Sequence, residues 1–286
     1  MITDVHAHVY PPEVIADWER IAAREPYFSL LVRGRAHRWG TADDLLAAMA
    51  EDGVDESWIC GFGFADLGLC RLCNDYVLDA AARSGGRLRP LAVVPPAAPG
   101  AEAEILRCAA RGAIGVGEIF PDGQNFPIDD IRVTWRLAAA CQENGLFAMI
   151  HAGEPLGRDY PGKGATGPRE LWTLARNHPE LRILAAHLGG GLFFYEHLKE
   201  AARVLQNVWY DTAAVPFLYD APLFASCAAS PRMEKVLYGS DFPLLRLPRY
   251  RCMAGDGAFP EEETTAFYGE NARLFRSRCD IGAARH

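Results

Sequence analysis

Eight short apolar stretches, most of them rich in β-branched residues, recur along the chain between segments with helical patterning. Most intervals between them have room for one strand, one helix and two loops. Near-continuous apolar runs are typical of parallel strands that are buried on both faces. The stretches are ITDVHAH (2–8), SWICGF (57–62), RPLAVV (89–94), AIGVGEI (113–119), LFAMIH (146–151), RILAAH (182–187), NVWYDT (207–212) and KVLYGSD (235–241).

Eight strand–helix units in roughly 250 residues match a (β/α)8 barrel. The pattern therefore predicts an α/β chain that forms one distorted (β/α)8 TIM barrel, a single domain over residues 1–286. A doubly wound open sheet is the alternative, but no GxGxxG motif follows the first apolar stretch. The longest interval holds residues 9–40 and predicts an inserted loop after strand 1, serving as a lid over the barrel mouth or as an oligomer contact. TADDLLAAMAEDG predicts a helix with Thr41 as its N-cap and Gly53 just past its end.

Composition excludes several classes of function. The chain has 37 acidic against 29 basic residues and a net charge of -8, so we expect no nucleic-acid partner, which would require a basic face. No apolar run reaches the roughly 18 residues that span a bilayer, so no membrane partner is expected. The start MITDVHAH lacks a signal pattern, which predicts a cytoplasmic protein with reduced thiols. The Cys70 and Cys73 pair lies in a helical pattern and is interpreted as helix packing rather than as a metal or redox motif.

Polar side chains with metal-binding chemistry stand at the carboxyl ends of the apolar stretches, where barrel enzymes place their active sites. Side chains alternate along a strand, so the imidazoles of His6 and His8 point the same way. Burying so many ligands without partners would cost several kcal/mol each, whereas a divalent cation satisfies them together. The absence of cysteine argues against a structural zinc site. Catalytic zinc is the first expectation, with manganese, iron, nickel or cobalt as alternatives. The residues are His6, His8, Glu118, His151, His187 and Asp241.

Seven motifs, in this order, make the chain resemble the amidohydrolase superfamily in its amidohydrolase-related branch. They are DVHAH, GEIFPD, IHAGE, AHLGG, YDTA, GSDFP and YGENARLF, and together they span residues 2–275. The resemblance implies that four histidines and a strand-eight aspartate surround one or two divalent metal ions; these are His6, His8, His151, His187 and Asp241. Many two-metal members have a carboxylated lysine after strand four, where this chain has Glu118. Glu118 either bridges two ions, as in members resembling TatD-type hydrolases, or accepts hydrogen bonds beside a single ion, as in the decarboxylase branch.

This resemblance implies a metal-dependent hydrolase, in which metal-activated water attacks an amide, ester or lactone bond of a small molecule. Asp241 and His187 are then the catalytic residues: Asp241 transfers the proton, and in a one-metal site His187 polarises the scissile carbonyl. The alternative is a metal-dependent decarboxylase or hydratase of small aromatic or unsaturated carboxylic acids. A TatD-like nuclease fits the ligand set but not the acidic charge. A non-catalytic metal-binding protein would be expected if a ligand were missing, and none is.

Candidate substrate contacts lie in the loops that follow the strands. Arg158 and Lys163 belong to a Gly- and Pro-rich loop after strand five and can bind a carboxylate, unless the loop is merely solvated. Tyr195 either lines the pocket or packs within a helix, and Tyr219 after strand seven is placed to face the substrate. We therefore expect a small-molecule substrate, while the sequence leaves open whether the chain is a monomer or a homo-oligomer.

Overall fold

Eight parallel strands form one sheet in the computed structural model, which describes residues 1–255 and 261–283. Each strand is hydrogen-bonded to the next one along the chain, in the order one to eight. Every predicted apolar stretch therefore contains or overlaps a strand. The strands are β1 (Thr3–His8), β2 (Glu56–Cys60), β3 (Leu88–Ala92), β4 (Gly115–Ile119), β5 (Phe147–Ile150), β6 (Ile183–Ala185), β7 (Val208–Asp211) and β8 (Val236–Leu237).

The first strand and the segment after the last one bring the sheet close to full closure. Ala7 pairs in parallel with Phe242, and the backbone N–H of His8 donates to the Phe242 carbonyl at 2.7 Å. β8 is shorter than its apolar stretch because the Tyr238 N–H donates to the carbonyl of Phe267, at 3.2 Å, rather than to a neighbouring strand. The predicted distorted (β/α)8 TIM barrel is thus confirmed.

Large side chains fill the interior of the barrel. Trp58 of β2 meets Phe147 of β5 across the barrel, with ring centroids 5.3 Å apart. Phe275, from the last helix, contacts both rings and that of Trp209 on β7. Apolar burial of this kind stabilises a barrel by roughly 25 cal/mol for each Å² removed from water. The interior is therefore a packed core, and ligand chemistry is confined to the mouth where the strands end.

Helices alternate with the strands and cover the outside of the barrel. Among the described residues, no helix is both long enough and apolar enough to cross a lipid bilayer. A 3-10 segment (His187–His197) follows β6, and a π-helical turn (Ala266–Glu270) precedes the last helix. The helices are α1 (Pro12–Ala16), α2 (Trp18–Ala22), α3 (Pro26–Val32), α4 (Ala42–Asp52), α5 (Leu67–Arg83), α6 (Ala101–Ala110), α7 (Ile131–Glu143), α8 (Pro168–Asn177), α9 (Lys199–Val204), α10 (Val215–Leu218), α11 (Pro222–Ala228), α12 (Leu247–Ala254), α13 (Glu261–Thr265) and α14 (Asn271–Ala283).

The insertion after β1, residues 9–40, is more ordered than the predicted loop. It contains the three short helices α1, α2 and α3, which the sequence analysis did not predict. Pro12 and Pro26 stand at the first helical positions of α1 and α3, where the missing N–H and the fixed φ of proline favour a helix start. The insertion nevertheless lies over the barrel mouth, as predicted, because its residues contribute to the wall of the cavity there.

Helix α4 has the ends that the sequence predicts. The Asp44 N–H donates to Thr41 Oγ1 at 3.2 Å, and the Thr41 N–H donates to Asp44 Oδ2 at 2.9 Å, which makes a reciprocal capping box. Gly53 follows the helix with a φ of 77°, the left-handed conformation that favours glycine. Local sequence signals therefore determine both ends of this helix.

The Cys70 and Cys73 pair lies on α5, and both thiols are buried and free. Cys73 packs against Gly61, where an added Cβ would come within 2.4 Å of the Cys73 Cβ. Burial raises the pKa of the Cys73 thiol to about 12, which keeps it protonated and unreactive at neutral pH. The pair is therefore part of the helix packing, as the sequence predicted.

Candidate metal centre

The six predicted ligands converge at the mouth of the barrel. β1 ends with His6 and His8, and β4 carries Glu118. His151 follows β5 directly, while His187 and Asp241 lie two and four positions past the ends of β6 and β8. They form two groups, and within each group the ligand atoms lie no more than 4.8 Å apart. The first group is His6, His8 and Asp241, and the second is Glu118, His151 and His187.

The first group is arranged around two imidazole nitrogens. Nε2 of His6 and Nε2 of His8 are 3.1 Å apart. Asp241 Oδ1 lies 3.6 Å from Nε2 of His8 and 3.9 Å from Nε2 of His6. Both rings also donate outward: Nδ1 of His6 donates to Asp211 at 2.9 Å, and Nδ1 of His8 donates to the Gly61 carbonyl at 3.0 Å. The Nε2 atoms, where the neutral rings have their lone pairs, therefore face each other.

The second group repeats this arrangement on the other side of the mouth. Nδ1 of His187 donates to the Ala213 carbonyl at 2.8 Å, and Nε2 of His151 lies 3.3 Å from the Lys163 carbonyl. The remaining nitrogens, Nε2 of His187 and Nδ1 of His151, are 3.1 Å apart. Since a carbonyl can only accept, the lone pairs of these neutral rings also point toward each other and toward Glu118. Outward hydrogen bonds of this kind fix the tautomer of metal-binding histidines.

Glu118 lies between the two groups with one oxygen toward each. Oε2 is 3.3 Å from Nε2 of His8 and 3.7 Å from Nε2 of His6. Oε1 is 3.0 Å from Nδ1 of His151 and 3.3 Å from Nε2 of His187. Among the described residues, the ion-pair partners of the Glu118 carboxylate are these four histidines, and no arginine pairs with it.

The electrostatic balance of the centre favours positive charge. Burial lowers the pKa of His6, but the charges of Asp211 and Glu118 outweigh this effect and raise the pKa to about 10. Burial likewise lowers the pKa of His187, and the carboxylate of Glu118 more than offsets it, raising the pKa to about 9. For Glu118, burial raises the pKa, but the charges of His6 and His151 prevail and hold it well below its usual range. The carboxylates thus create a field that attracts protons or a cation.

Two glycines allow the backbone to bring these ligands together. Gly117 has a φ of 147°, and an added Cβ would lie 2.5 Å from the carbonyl oxygen of Met149 on the neighbouring strand. After β6, Gly190 belongs to a run of left-handed residues, and its Cβ would meet the Gly153 carbonyl oxygen at 2.2 Å. These close approaches explain the glycines in GEIFPD and AHLGG, because any side chain there would push a ligand-bearing segment outward.

Asp211 is a functional residue that the sequence analysis did not single out. It ends β7 and is fully buried. Oδ2 accepts from Nδ1 of His6, while Oδ1 accepts from the backbone N–H groups of His187 and Ala213 at 3.0 and 2.9 Å. One carboxylate therefore orients a ligand of each group. Its position in YDTA, at the carboxyl end of a strand, is the signal that could have identified it.

Asp241 lies with His6 and His8 in the first group of candidate ligands, and not at the start of a helix. Its backbone N–H donates to the His6 carbonyl at 2.9 Å, which holds it beside β1. The following helix, α12, begins at Leu247 with Arg246 as its N-cap, so Asp241 does not cap that helix. Its carboxylate also lines the cavity at the barrel mouth, where it is available to a bound molecule.

A cavity of about 580 Å³ opens directly above the metal centre. Its floor includes His8, Glu118, His151, His187 and Asp241. The insertion after β1 supplies one wall, and the loop between β5 and α8 supplies another. Volumes in this range accommodate small-molecule ligands. The cavity is therefore the place where a substrate can reach the ligand cluster.

The four predicted substrate contacts differ in whether their side chains reach the cavity. Arg158 lines the cavity. The ammonium of Lys163 instead donates to carbonyls of its own loop, 3.1 Å from that of Leu156 and 3.2 Å from that of Arg158. The described residues that line the cavity do not include Lys163, Tyr195 or Tyr219. Tyr195 is about half exposed. The structure thus brings only the first of these four side chains to the cavity wall.

The donor set fits a divalent cation. Two imidazole acceptors 3.1 Å apart repel each other unless a proton or a cation lies between them, and this occurs in both groups. The four inward nitrogens and the oxygens of Glu118 and Asp241 supply the mixed N and O ligands that suit borderline divalent metals. No cysteine belongs to either group.

Comparison with known proteins agrees with this geometry. The family model described as amidohydrolase matches residues 3–276. A search of curated proteins finds no match to the sequence. Three solved structures are similar in fold. A 5-carboxyvanillate decarboxylase from Novosphingobium aromaticivorans, complexed with manganese, has a TM-score of 0.77 at 17% identity and covers 97% of this chain and 96% of its own.

The second similar structure is a 2,6-dihydroxybenzoate decarboxylase, with a TM-score of 0.73 at 16% identity, covering 96% of this chain and 99% of its own. The third, a 4-oxalomesaconate hydratase from Rhodopseudomonas palustris, has a TM-score of 0.67 at 19% identity and covers both chains completely, 100% of each. At these identities the likeness concerns the fold. Because the family model spans nearly the whole chain and the ligand cluster lies where the motifs place it, the chain belongs to the amidohydrolase family.

Proposed function

We propose that the chain is a metal-dependent lyase, a decarboxylase or hydratase, that acts on small aromatic or unsaturated carboxylic acids. The observation that carries the metal dependence is the inward orientation of four histidine lone pairs around Glu118 and Asp241, at the floor of the cavity. The reaction class is supported by the decarboxylases and the hydratase that share the fold. This was the alternative function expected from the sequence, and it is now preferred over hydrolysis.

The residues that would hold the cation are His6, His8 and Asp241, and for a second ion His151, His187 and Glu118. When bound, a divalent cation supplies Lewis acidity that stabilises negative charge developing on a substrate oxygen. Manganese joins zinc as a first choice because the similar 5-carboxyvanillate decarboxylase is complexed with it. Iron, nickel and cobalt remain compatible with these ligands.

Asp241 is the residue best placed to move a proton. Its carboxylate lines the cavity and is held at the floor by the hydrogen bond from its own N–H to the His6 carbonyl. In a decarboxylation, the C–CO2 bond breaks with its electron pair left on the carbon, and this carbon takes one proton from the protonated Asp241 carboxyl, which water then reprotonates. In a hydration, the same oxygen can remove a proton from the attacking water. Nδ1–H of His187 donates to the Ala213 carbonyl, so Nε2 is the nitrogen through which His187 can interact with a cation or with the substrate.

Hydrolysis is the second candidate function, favoured by one specific observation. Glu118 presents one oxygen to each ligand group, an arrangement suited to two neighbouring cations. Paired metal sites are common in enzymes that hydrolyse amide and ester bonds. The two functions therefore differ in the reaction catalysed and in how many ions are required.

One experiment separates them. Chelated protein is reloaded with manganese or zinc, and is then given a panel of aromatic and unsaturated acids and a panel of esters, lactones and amides. We expect CO2 release or addition of water on the acid panel only, and a loss of at least about a hundredfold in the Asp241→Asn variant. Asp220→Asn, at an exposed carboxylate after β7, is the matched control and keeps full activity. Turnover confined to the hydrolysis panel would replace the proposal with the second candidate.

A further inference from the structure

The side chains that line the cavity differ in polarity and charge between its floor and its rim. The floor carries the buried ligand cluster, with a carboxylate or an imidazole at each position. Above it the side chains are apolar, including Phe62, Phe120, Leu218, Pro243 and Leu244. At the exposed rim the residues become cationic. A molecule that fills the cavity therefore meets a metal-binding end, an apolar middle and a positively charged outer end.

Arg35 and Arg158 form the cationic rim from two different segments. Arg35 comes from the insertion after β1 and Arg158 from the loop between β5 and α8. These segments meet at the mouth, where a Cβ on Gly162 would lie 2.8 Å from Cδ2 of Leu31. Arg38 also lies at the rim, but Nη1 donates to the carbonyls of Arg35 and His37 at 3.1 and 2.7 Å, which anchors it within the insertion.

In the part of the chain that the structure describes, these two rim arginines have no carboxylate partner, unlike several arginines elsewhere on the surface. Within residues 1–255 and 261–283, no ion pair involves Arg35 or Arg158. By contrast, Arg107 and Arg246 each pair with two carboxylates at 2.7 to 2.8 Å, away from the cavity. The chain has a net charge of -8, so acidic partners are not scarce. Among the described residues at the rim, the acidic side chain is that of Asp159, which lies 3.8 Å from the ammonium of Lys163.

We propose that Arg35 and Arg158 bind a second carboxylate of the substrate, at the end remote from the reacting group. The ligand class is a dicarboxylic acid with a flat apolar body, one acid group at the metal centre and the other at the rim. This inference rests on the proposed function for the identity of the first group. Guanidinium groups bind carboxylates through charge-assisted, frequently paired hydrogen bonds, which explains why arginine stands at both positions.

The test compares the binding of matched acids with one and two carboxylates. The metal-loaded protein is titrated calorimetrically with terephthalate and benzoate, and with a biphenyl dicarboxylate and its monocarboxylate. The two lengths place the second carboxylate at two different distances from the metal-binding floor. We expect at least one dicarboxylate to bind about tenfold more tightly than its monocarboxylate in the unmodified protein. In the Arg35→Met, Arg158→Met double variant this ratio falls close to one, while the monocarboxylate binds as before.

Arg33→Met is the control for a general loss of positive charge. Arg33 belongs to the same insertion, but its guanidinium lies over Trp18, 5.4 Å from the ring centroid, and Nε donates to Ser29. A long-range attraction for anions would weaken in this variant too, whereas a direct contact leaves its binding ratio unchanged. Thermal melting of each variant checks the fold, and exposed side chains such as Arg35 and Arg158 are replaced at little cost in stability.

The outcomes distinguish this inference from the proposed function. A ratio near one in the unmodified protein, or a ratio that survives the double substitution, overturns the rim subsite. Metal-dependent binding of the monocarboxylates would then still support a carboxylic acid substrate. Conversely, an arginine-dependent ratio together with turnover of the hydrolysis panel alone would keep the subsite and overturn the reaction class.

Discussion

Two clusters of buried ionisable groups in this chain differ in how their charges are satisfied. At the metal centre, Glu118 faces imidazole nitrogens that are themselves acceptors when neutral. On the outside of the barrel, Glu104 of α6 is about 1% exposed and accepts hydrogen bonds from N–H groups that can only donate. Its Oε1 accepts from Asn74 Nδ2 at 2.8 Å and from Arg107 Nη2 at 2.7 Å, and its Oε2 accepts from Arg107 Nε at 2.8 Å. Arg107 therefore balances the charge of Glu104, and the hydrogen bonds of its carboxylate are satisfied without a bound ion.

The difference lies in the direction of the N–H groups, which distinguishes a structural ionic cluster from a candidate metal site. Both carboxylate oxygens of Glu104 accept from N–H groups. Asn74 also donates to the Val93 carbonyl and accepts from the Val93 N–H, so the cluster links α5 and α6 to the end of β3. At the metal centre the N–H groups point outward, toward Asp211, Gly61 and Ala213, and the lone pairs point inward. Both clusters are buried and charged, so these two properties do not distinguish them. The direction in which the N–H groups point does distinguish them.

The largest expected effect comes from removing the ligands of the first group. Replacing His6 and His8 together by Ala removes two of its three donors, so tight binding of a divalent cation to this group is abolished. Metal content is measured after chelation and reloading. Glu104→Gln, in the structural cluster, serves as the control and retains the full metal content. Full metal content in the double variant would show that the histidines are not ligands.

The second prediction concerns Glu118, which has the only carboxylate that faces both groups among the described residues. If it bridges two cations, the unmodified protein binds two equivalents of metal for each chain. Glu118→Gln then loses one equivalent and keeps the other, because an amide bridges poorly. Titration monitored by elemental analysis gives both numbers. Saturation of the unmodified protein at one equivalent, with the same content in the variant, would establish a one-metal site.

The smallest effect is expected in the structural cluster and appears in stability rather than in metal binding. Burial raises the pKa of Glu104, but hydrogen bonds from Arg107 and Asn74 outweigh it and lower the pKa from 4.5 to about 2. A carboxyl whose pKa is lower in the folded state stabilises the fold above the unfolded value, and this stability is lost as the pH falls from 4.5 toward 2. Glu104→Gln should cost about 2 kcal/mol at neutral pH.

Chemical denaturation at several pH values tests this. The difference in unfolding free energy between the unmodified protein and Glu104→Gln should shrink between pH 4.5 and pH 2, while metal content at neutral pH stays the same. Asp130→Asn, at the partly exposed N-cap of α7, is a surface control with a small effect, because its ion-pair partner Arg132 is exposed to solvent. A constant difference across this pH range would mean that the charge of Glu104 does not stabilise the fold.

The sequence by itself determined the barrel and the positions of the ligands. Strand composition, helix caps such as Thr41 and the spacing of the units are local properties, and each agrees with the structure. Because parallel strands all end at the same face, residues such as His6, His151 and Asp241 had to converge once the barrel closed. The alternation along β1 likewise predicted that His6 and His8 share a direction.

Only the tertiary structure decided which nitrogen of each histidine faces inward, because that depends on acceptors from distant segments such as Asp211 and Ala213. It also decided that the ammonium of Lys163 bonds to its own loop while Arg158 remains at the cavity, although the two have similar charge and lie in the same loop. Hydrogen bonds and ion pairs form between groups far apart in the chain, and their geometry is absent from local pattern. That is why the sequence predicted the ligand set, and the fold revealed its orientation and the rim above it.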